Sequence, residues 1–315
     1  MRLRRDFLNY FGILLGGIIL IYQIFRSYHA IIHRFSGDFS TLIFYSALLT
    51  LLSLGIQILA WSRIMKGIGT NIILIDAFHG YILSFLPRYI PGTVWGYLSR
   101  SEWLFQKHKI NRRISNLGSI FEIFSTITAN IMLIGISSLK VTSYSRILNI
   151  LLLIFFIPLV WITLQKVFSS RYIMNLFAET SNGAGVGIKF HHWITGTIFF
   201  GVTWILYGVS LLLIIQFLIN GKLISAESIL EITGIYCIAW LAGFLVFVVP
   251  SGLGFRELVL SSLLSNKYNI PLIQATGVAI LFRFVLVFME FVWLVIGITI
   301  KPIARFKGVG VEKKK

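Results

Sequence analysis

The sequence predicts an all-α, polytopic integral membrane protein with eight hydrophobic segments. Six read as full spans and two as opposed re-entrant hairpins, arranged in an inverted repeat. Three observations predict it. Apolar residues make up 57% of the 315 positions against 12% charged, and a mean hydropathy of +0.87 does not describe a soluble globule of this size. Apolar runs of spanning length recur from residue 7 to residue 300. Two of the apolar stretches are broken by proline, glycine and arginine together, RYIPGTVWGYLSR at 88 to 100 and PSGLGFRE at 250 to 257.

Runs near 7 to 25, 40 to 61, 114 to 137, 147 to 165, 193 to 219 and 272 to 300 are each long enough to cross. The first follows Arg2, Arg4 and Arg5 but lacks a small-x-small cleavage site, so it reads as a span rather than a signal peptide. No polar run between spans is long enough to fold alone. The chain therefore reads as one membrane domain, 1 to 315, with half-repeats of roughly 1 to 140 and 141 to 305 and a basic tail at 306 to 315.

The stretches 72 to 98 and 229 to 265 carry the breaks, and the net charge of +17 bears on how they run. Its 28 Lys and Arg sit in short loops, a pattern of membrane orientation rather than of nucleic-acid binding. If both stretches cross once, the basic residues divide almost evenly between the two sides. If both return to the side they entered from, Arg100, Lys107, Lys109, Arg112, Arg113, Lys166, Arg171 and Lys189 join the cytoplasmic side with both termini. The positive-inside rule favours the hairpins. The alternative is that 229 to 249 is an ordinary span followed by a short surface helix.

Irregular backbone at membrane depth survives where protein or a wet cavity satisfies its N–H and C=O groups, and such breaks point to transporter binding sites. Charges at that depth cost about 2.5 to 3.5 kcal/mol each on insertion scales, so Asp76, Arg88, Glu122, Arg256, Glu257, Arg283 and Glu290 need partners or a polar cavity. Arg283 and Glu290, seven apart, fall on nearly one helical face. Internal ion pairing without a ligand is the competing account of each charge. Arg88 and Arg256 stand out because they adjoin broken backbone, where free N–H groups at half-helix starts favour a phosphate.

Other features carry less. The lone Cys237 excludes an intramolecular disulfide and a cysteine zinc cluster. His191 and His192, as helix neighbours, are expected to diverge and not to form a metal site, and Trp193 reads as an aromatic-belt anchor. The GAGVG run at 183 to 187 follows no strand, and no GxxxxGK[ST] motif occurs, so no cofactor is implied.

The two motifs, in this order and half a chain apart, resemble the membrane-domain family of the lysylphosphatidylglycerol synthases, whose flippase-like domain also occurs as standalone proteins of about this length. The resemblance spans most of the chain. It implies a transporter that moves a phospholipid or lipid-linked headgroup between leaflets. The residues matching the family pattern are Arg88, Pro91, Gly92, Trp95 and Arg100 in the first motif and Pro250, Gly252, Gly254, Arg256 and Glu257 in the second, with Glu122 and Arg283 outside both. The aminoacyl-transferase domain of the full synthases has no counterpart in this sequence, so synthesis of that lipid is not expected. The implied cargo is an anionic phospholipid or a polyprenyl-linked sugar, in the plasma membrane of a prokaryote. A lipid-modifying enzyme, a glycosyltransferase or a second copy of the chain remain as partners. Two rival readings stay open: an intramembrane lipid phosphatase or headgroup transferase, for which Ser251 and His79 are the nearest candidate groups, and a non-transporting membrane partner of a glycosyltransferase.

Overall fold

The computed structural model describes residues 41–70, 72–90, 95–138, 188–219, 225–246 and 249–300, with scattered positions at 18–25 and 156–166. The expected spans at 7 to 25 and 147 to 165 lie mostly outside these residues. Pro91, Gly92, the GAGVG run and the tail at 306 to 315 lie wholly outside them.

The described residues form helices and connecting turns, with no strand. Five helices are long and apolar enough to cross a membrane: α1 (Thr41–Gly67), α4 (Arg112–Ser137), α5 (Phe190–Ile219), α6 (Ala226–Leu245) and α8 (Leu272–Thr299). The protein is thus a multi-pass membrane protein. Three shorter elements flank the breaks. In the first, α2 (Leu74–Ile82) leads to a 3-10 turn at Pro87–Tyr89 and then to α3 (Trp95–His108); in the second, a 3-10 turn at Pro250–Gly252 separates α6 from α7 (Phe255–Tyr268).

Helix α1 packs antiparallel on α5. Ser46 meets Ser210, Ser53 meets Thr203, and Gly67 lies beside Ile188 and His192. The Ser46 hydroxyl donates to the Ser210 carbonyl at 3.0 Å, while the Thr203 hydroxyl reaches the Ser53 carbonyl at 3.5 Å further along. Small polar side chains let two apolar helices approach closely while satisfying their own hydroxyls. A side chain at Gly67 would lie 2.6 Å from both Ile188 and His192, which fixes glycine at this contact.

Both broken segments are antiparallel hairpins. In the first, Asp76 faces His108, Gly80 faces Trp103, and Leu83 accepts from Ser99. In the second, Gly243 faces Arg256, and Glu231 faces Lys267 at 3.6 Å. Each hairpin therefore ends near the level at which it began. Met65, at the end of α1, touches Gly118 near the start of α4, so the first hairpin begins and ends at one end of the bundle. The second follows α5, whose C-terminal end is opposite, and the turns of the two hairpins pack against each other.

Local chemistry sets the helix starts. The Asn111 side chain accepts from the Arg113 N–H at 2.9 Å and Ser225 from the Ser228 N–H at 3.1 Å, each an N-cap. Before α7, Gly254 takes φ +81, and the Glu257 carboxylate reaches back to its N–H at 2.7 Å. Asn269, at φ +51, closes α7.

Two expectations are corrected. Trp193 is fully buried against Trp161 and Phe190 rather than at a lipid interface, because its face of α5 turns into the protein. His191 and His192 do not diverge, since side-chain torsions bring the rings to a 4.1 Å centroid separation. Among the described residues, no group of three His, Cys, Asp or Glu stands close enough to hold a metal ion.

Candidate functional site

Where the two turns meet, a cavity of about 170 Å³ lies among the eight described α-helices, α1 to α8. Arg88, Arg100, Arg256 and Arg283 reach its wall, with Glu122 and Glu290 among them. The helical period explains the placement. Glu122 and Thr126 share a face of α4, and Arg283, Leu286 and Glu290 share a face of α8. The breaks bring Arg88 and Arg256 to the same space from opposite hairpins.

The charges are paired unevenly. Arg100 donates to Glu122 Oε2 at 2.7 Å, and the Tyr81 hydroxyl donates to Oε1 at 3.0 Å. The Arg100 guanidinium also lies over the rings of Trp61, Tyr81 and Tyr97 at 4.7 to 5.0 Å. Glu290 accepts from Arg88 at 3.1 Å and from the Tyr89 hydroxyl at 3.0 Å, tying the first turn to α8. Arg283 donates to Ser251 Oγ at 3.1 Å, its Nε lies 3.8 Å from Glu257, and it stands over the Tyr89 ring at 5.6 Å. Arg283 thus joins the two turns. Ser251 holds φ +51, a strained conformation for a residue with a side chain, and such strain collects at functional sites.

Arg256 differs from the other three. The residue is 8% exposed, its guanidinium lies over the Tyr236 ring at 4.7 Å, and it has no hydrogen-bonding or ion-pair partner within bonding distance among the described residues. Arg283 repels it and Glu257 attracts it.

Of the residues singled out from the sequence, Arg88, Arg100, Glu122, Gly252, Arg256 and Arg283 line the cavity. Glu257 stands behind this wall, in a small pocket it shares with Arg256 and Arg283. Pro250 and Gly254 shape the second turn, and Trp95 is 42% exposed and off the wall. Asp76, one of the expected embedded charges, is spent elsewhere, 3.4 Å from His108 at the base of the first hairpin. The aromatic side of the cavity was not singled out from the sequence: Tyr97 stands inside the first motif, and Trp204, Tyr207, Trp240 and Phe244 lie outside both. Tyrosines and tryptophans spread along apolar helices carry no local signal that separates a cavity wall from a core.

His79 and Ser251 are not neighbours. The His79 ring nitrogens lie 2.7 and 2.6 Å from the Ile75 and Ile300 carbonyls, so the ring is held by backbone and does not address Ser251.

No family model matches the chain, and no curated protein aligns with it.

Proposed function

We propose that the protein is a flippase-like lipid transporter, similar to the membrane domain of the lysylphosphatidylglycerol synthases. It moves an anionic phospholipid or a lipid-linked headgroup between the leaflets of a prokaryotic plasma membrane. The observation that carries the reading is Arg256, a buried guanidinium that finds no acceptor among the described residues, on the wall of a cavity where arginines outnumber glutamates. An unpaired buried charge costs several kcal/mol, and a lipid phosphate relieves that cost by accepting from it. Arg88 and Arg283 complete the anion site, while Glu122, Glu257 and Glu290 balance charge when the cavity is empty.

The proposed topology has two re-entrant hairpins entering from opposite membrane faces, with both termini cytoplasmic. The antiparallel contact of α1 with α5 supports it. Corresponding helices run in opposite directions when two crossings separate them, as in the expected order of spans, α4 and the apolar run at 147 to 165 that lies mostly outside the described residues. A third crossing by the first broken segment would make them parallel. The first hairpin is also short: α2 has 9 residues and α3 has 14, below the roughly 17 residues that a spanning helix needs. The tips would then meet at mid-depth, where inverted-repeat transporters hold their ligands.

Reconstitution into liposomes with chemically trappable lipids tests the reading. Wild type is expected to exchange lipid between leaflets without altering it, and Arg256→Ala and Glu257→Gln are expected to slow exchange. Product formation would instead make the protein an enzyme. Mutants that exchange lipid at the wild-type rate would remove the site assignment.

A further inference from the structure

The cavity's hydrogen-bonding inventory is one-sided. Glu122 Oε1 and Oε2 are taken by Tyr81 and Arg100, and Glu290 Oε1 and Oε2 by Arg88 and Tyr89. Glu257 Oε2 is taken by the Gly254 N–H at 2.7 Å, and its Oε1 faces Arg283. Among the described residues, every carboxylate oxygen near the site already faces a donor. Among the described residues that line the cavity, the buried polar atoms left unpaired are donors, Arg100 Nε and Nη1, Arg283 Nε and Trp204 Nε1, and the Arg256 guanidinium stacks on Tyr236 without a hydrogen bond to a described residue.

Such a wall discriminates among phospholipids by the group esterified to the phosphate. An ammonium headgroup brings a second positive charge to a place where each described carboxylate already faces an arginine and four guanidinium groups line or back the wall. Burying it there leaves a cation without a free counter-charge, which costs several kcal/mol. An uncharged polyol brings hydroxyls that both accept and donate, and Gln57, Ser84, Thr126 and Tyr207 supply neutral partners on the same wall. The C–H faces of its carbons pack on the rings of Trp204 and Trp240, which stand 5.1 Å apart. Four arginines against three glutamates leave one surplus positive charge, the complement of a single phosphodiester rather than a diphosphate.

We infer that the site takes a lipid with one phosphodiester and an uncharged, hydroxyl-rich headgroup, such as glycerol, inositol or a sugar, and rejects headgroups that end in an ammonium. This rests on the transporter reading of the same cavity. It excludes the aminoacylated lipid for which the similar synthases are named.

Native mass spectrometry of the full-length protein in detergent tests it, with dioctanoyl phosphatidylglycerol, phosphatidylinositol, phosphatidylethanolamine and lysylphosphatidylglycerol as probes. The glycerol and inositol lipids are expected to bind about tenfold or more tighter than the two amine lipids. Gln57→Glu, which adds a carboxylate to the wall, is expected to narrow that ratio. Equal or tighter binding of the amine lipids to wild type overturns the inference. If all four bind alike and Arg256→Ala weakens all of them, the phosphate site stands and the headgroup selection falls. If Arg256→Ala changes no binding, the lipid-site reading falls and takes the selection with it.

Discussion

Replacing Arg256 with methionine is expected to move stability and function in opposite directions. The substitution keeps an unbranched chain over Tyr236 and removes a buried cation that has no hydrogen-bond acceptor among the described residues. What is lost is stacking on the ring, about 0.5 to 2 kcal/mol, and attraction to Glu257. What is gained is relief from a desolvation cost of several kcal/mol and from repulsion by Arg283. The balance favours the mutant by about 1 to 3 kcal/mol in the empty protein, within the range found when buried ionic groups give way to apolar ones. Thermal unfolding in lipid-free detergent then shows an apparent Tm higher by about 2 °C or more. Lipid exchange in liposomes falls by about 10- to 100-fold, since a hydrogen bond to a charged phosphate is worth about 1.5 to 3 kcal/mol. A mutant less stable than wild type would show that Arg256 braces the fold and that its missing acceptor carries no cost.

Arg100 and Glu122 are expected to behave in the opposite manner. Glu122→Gln alone leaves a buried guanidinium unpaired and costs about 3 to 5 kcal/mol, whereas Arg100→Met with Glu122→Gln recovers most of the loss; a double-mutant cycle on unfolding midpoints measures the difference. Gly252→Ala is expected to cost about 2 kcal/mol or more, because φ is +66 and the added carbon lies 2.8 Å from the Gly243 backbone, which has no side chain to move aside; unfolding in detergent reads it. Glu102, its side chain 44% exposed and held down to about 2 by hydrogen bonds from Arg112, stabilises the α3–α4 connection above its unfolded pKa of about 4.3. That contribution disappears as pH falls through about 2, so Glu102→Gln is expected to flatten the acid limb of the stability profile.

Much of the architecture was legible in the sequence because its causes are local. The length of an apolar run decides whether a helix can cross, and α1, α4, α5 and α8 follow the expected runs within a few residues. Proline interrupts a helix from local causes, and the described turns at Pro87–Tyr89 and Pro250–Gly252 fall at or beside the motifs. The period of the α-helix places Arg283 and Glu290 on one face before any fold is known. Arg88 and Arg256 drew attention because charge and broken backbone coincide in each.

Partnership was not legible, because it depends on contacts made across the chain. Arg88 finds Glu290 some 202 positions away, whereas Asp76, equally charged and equally embedded in apolar sequence, turns to His108 and stays out of the cavity. Four arginines look alike as letters. Three acquire acceptors and Arg256 does not, because the packing of α6 against α7 puts an aromatic ring where an acceptor would have to stand. The aromatic wall is likewise assembled from α3, α5 and α6, whose side chains converge on one cavity through helix packing alone.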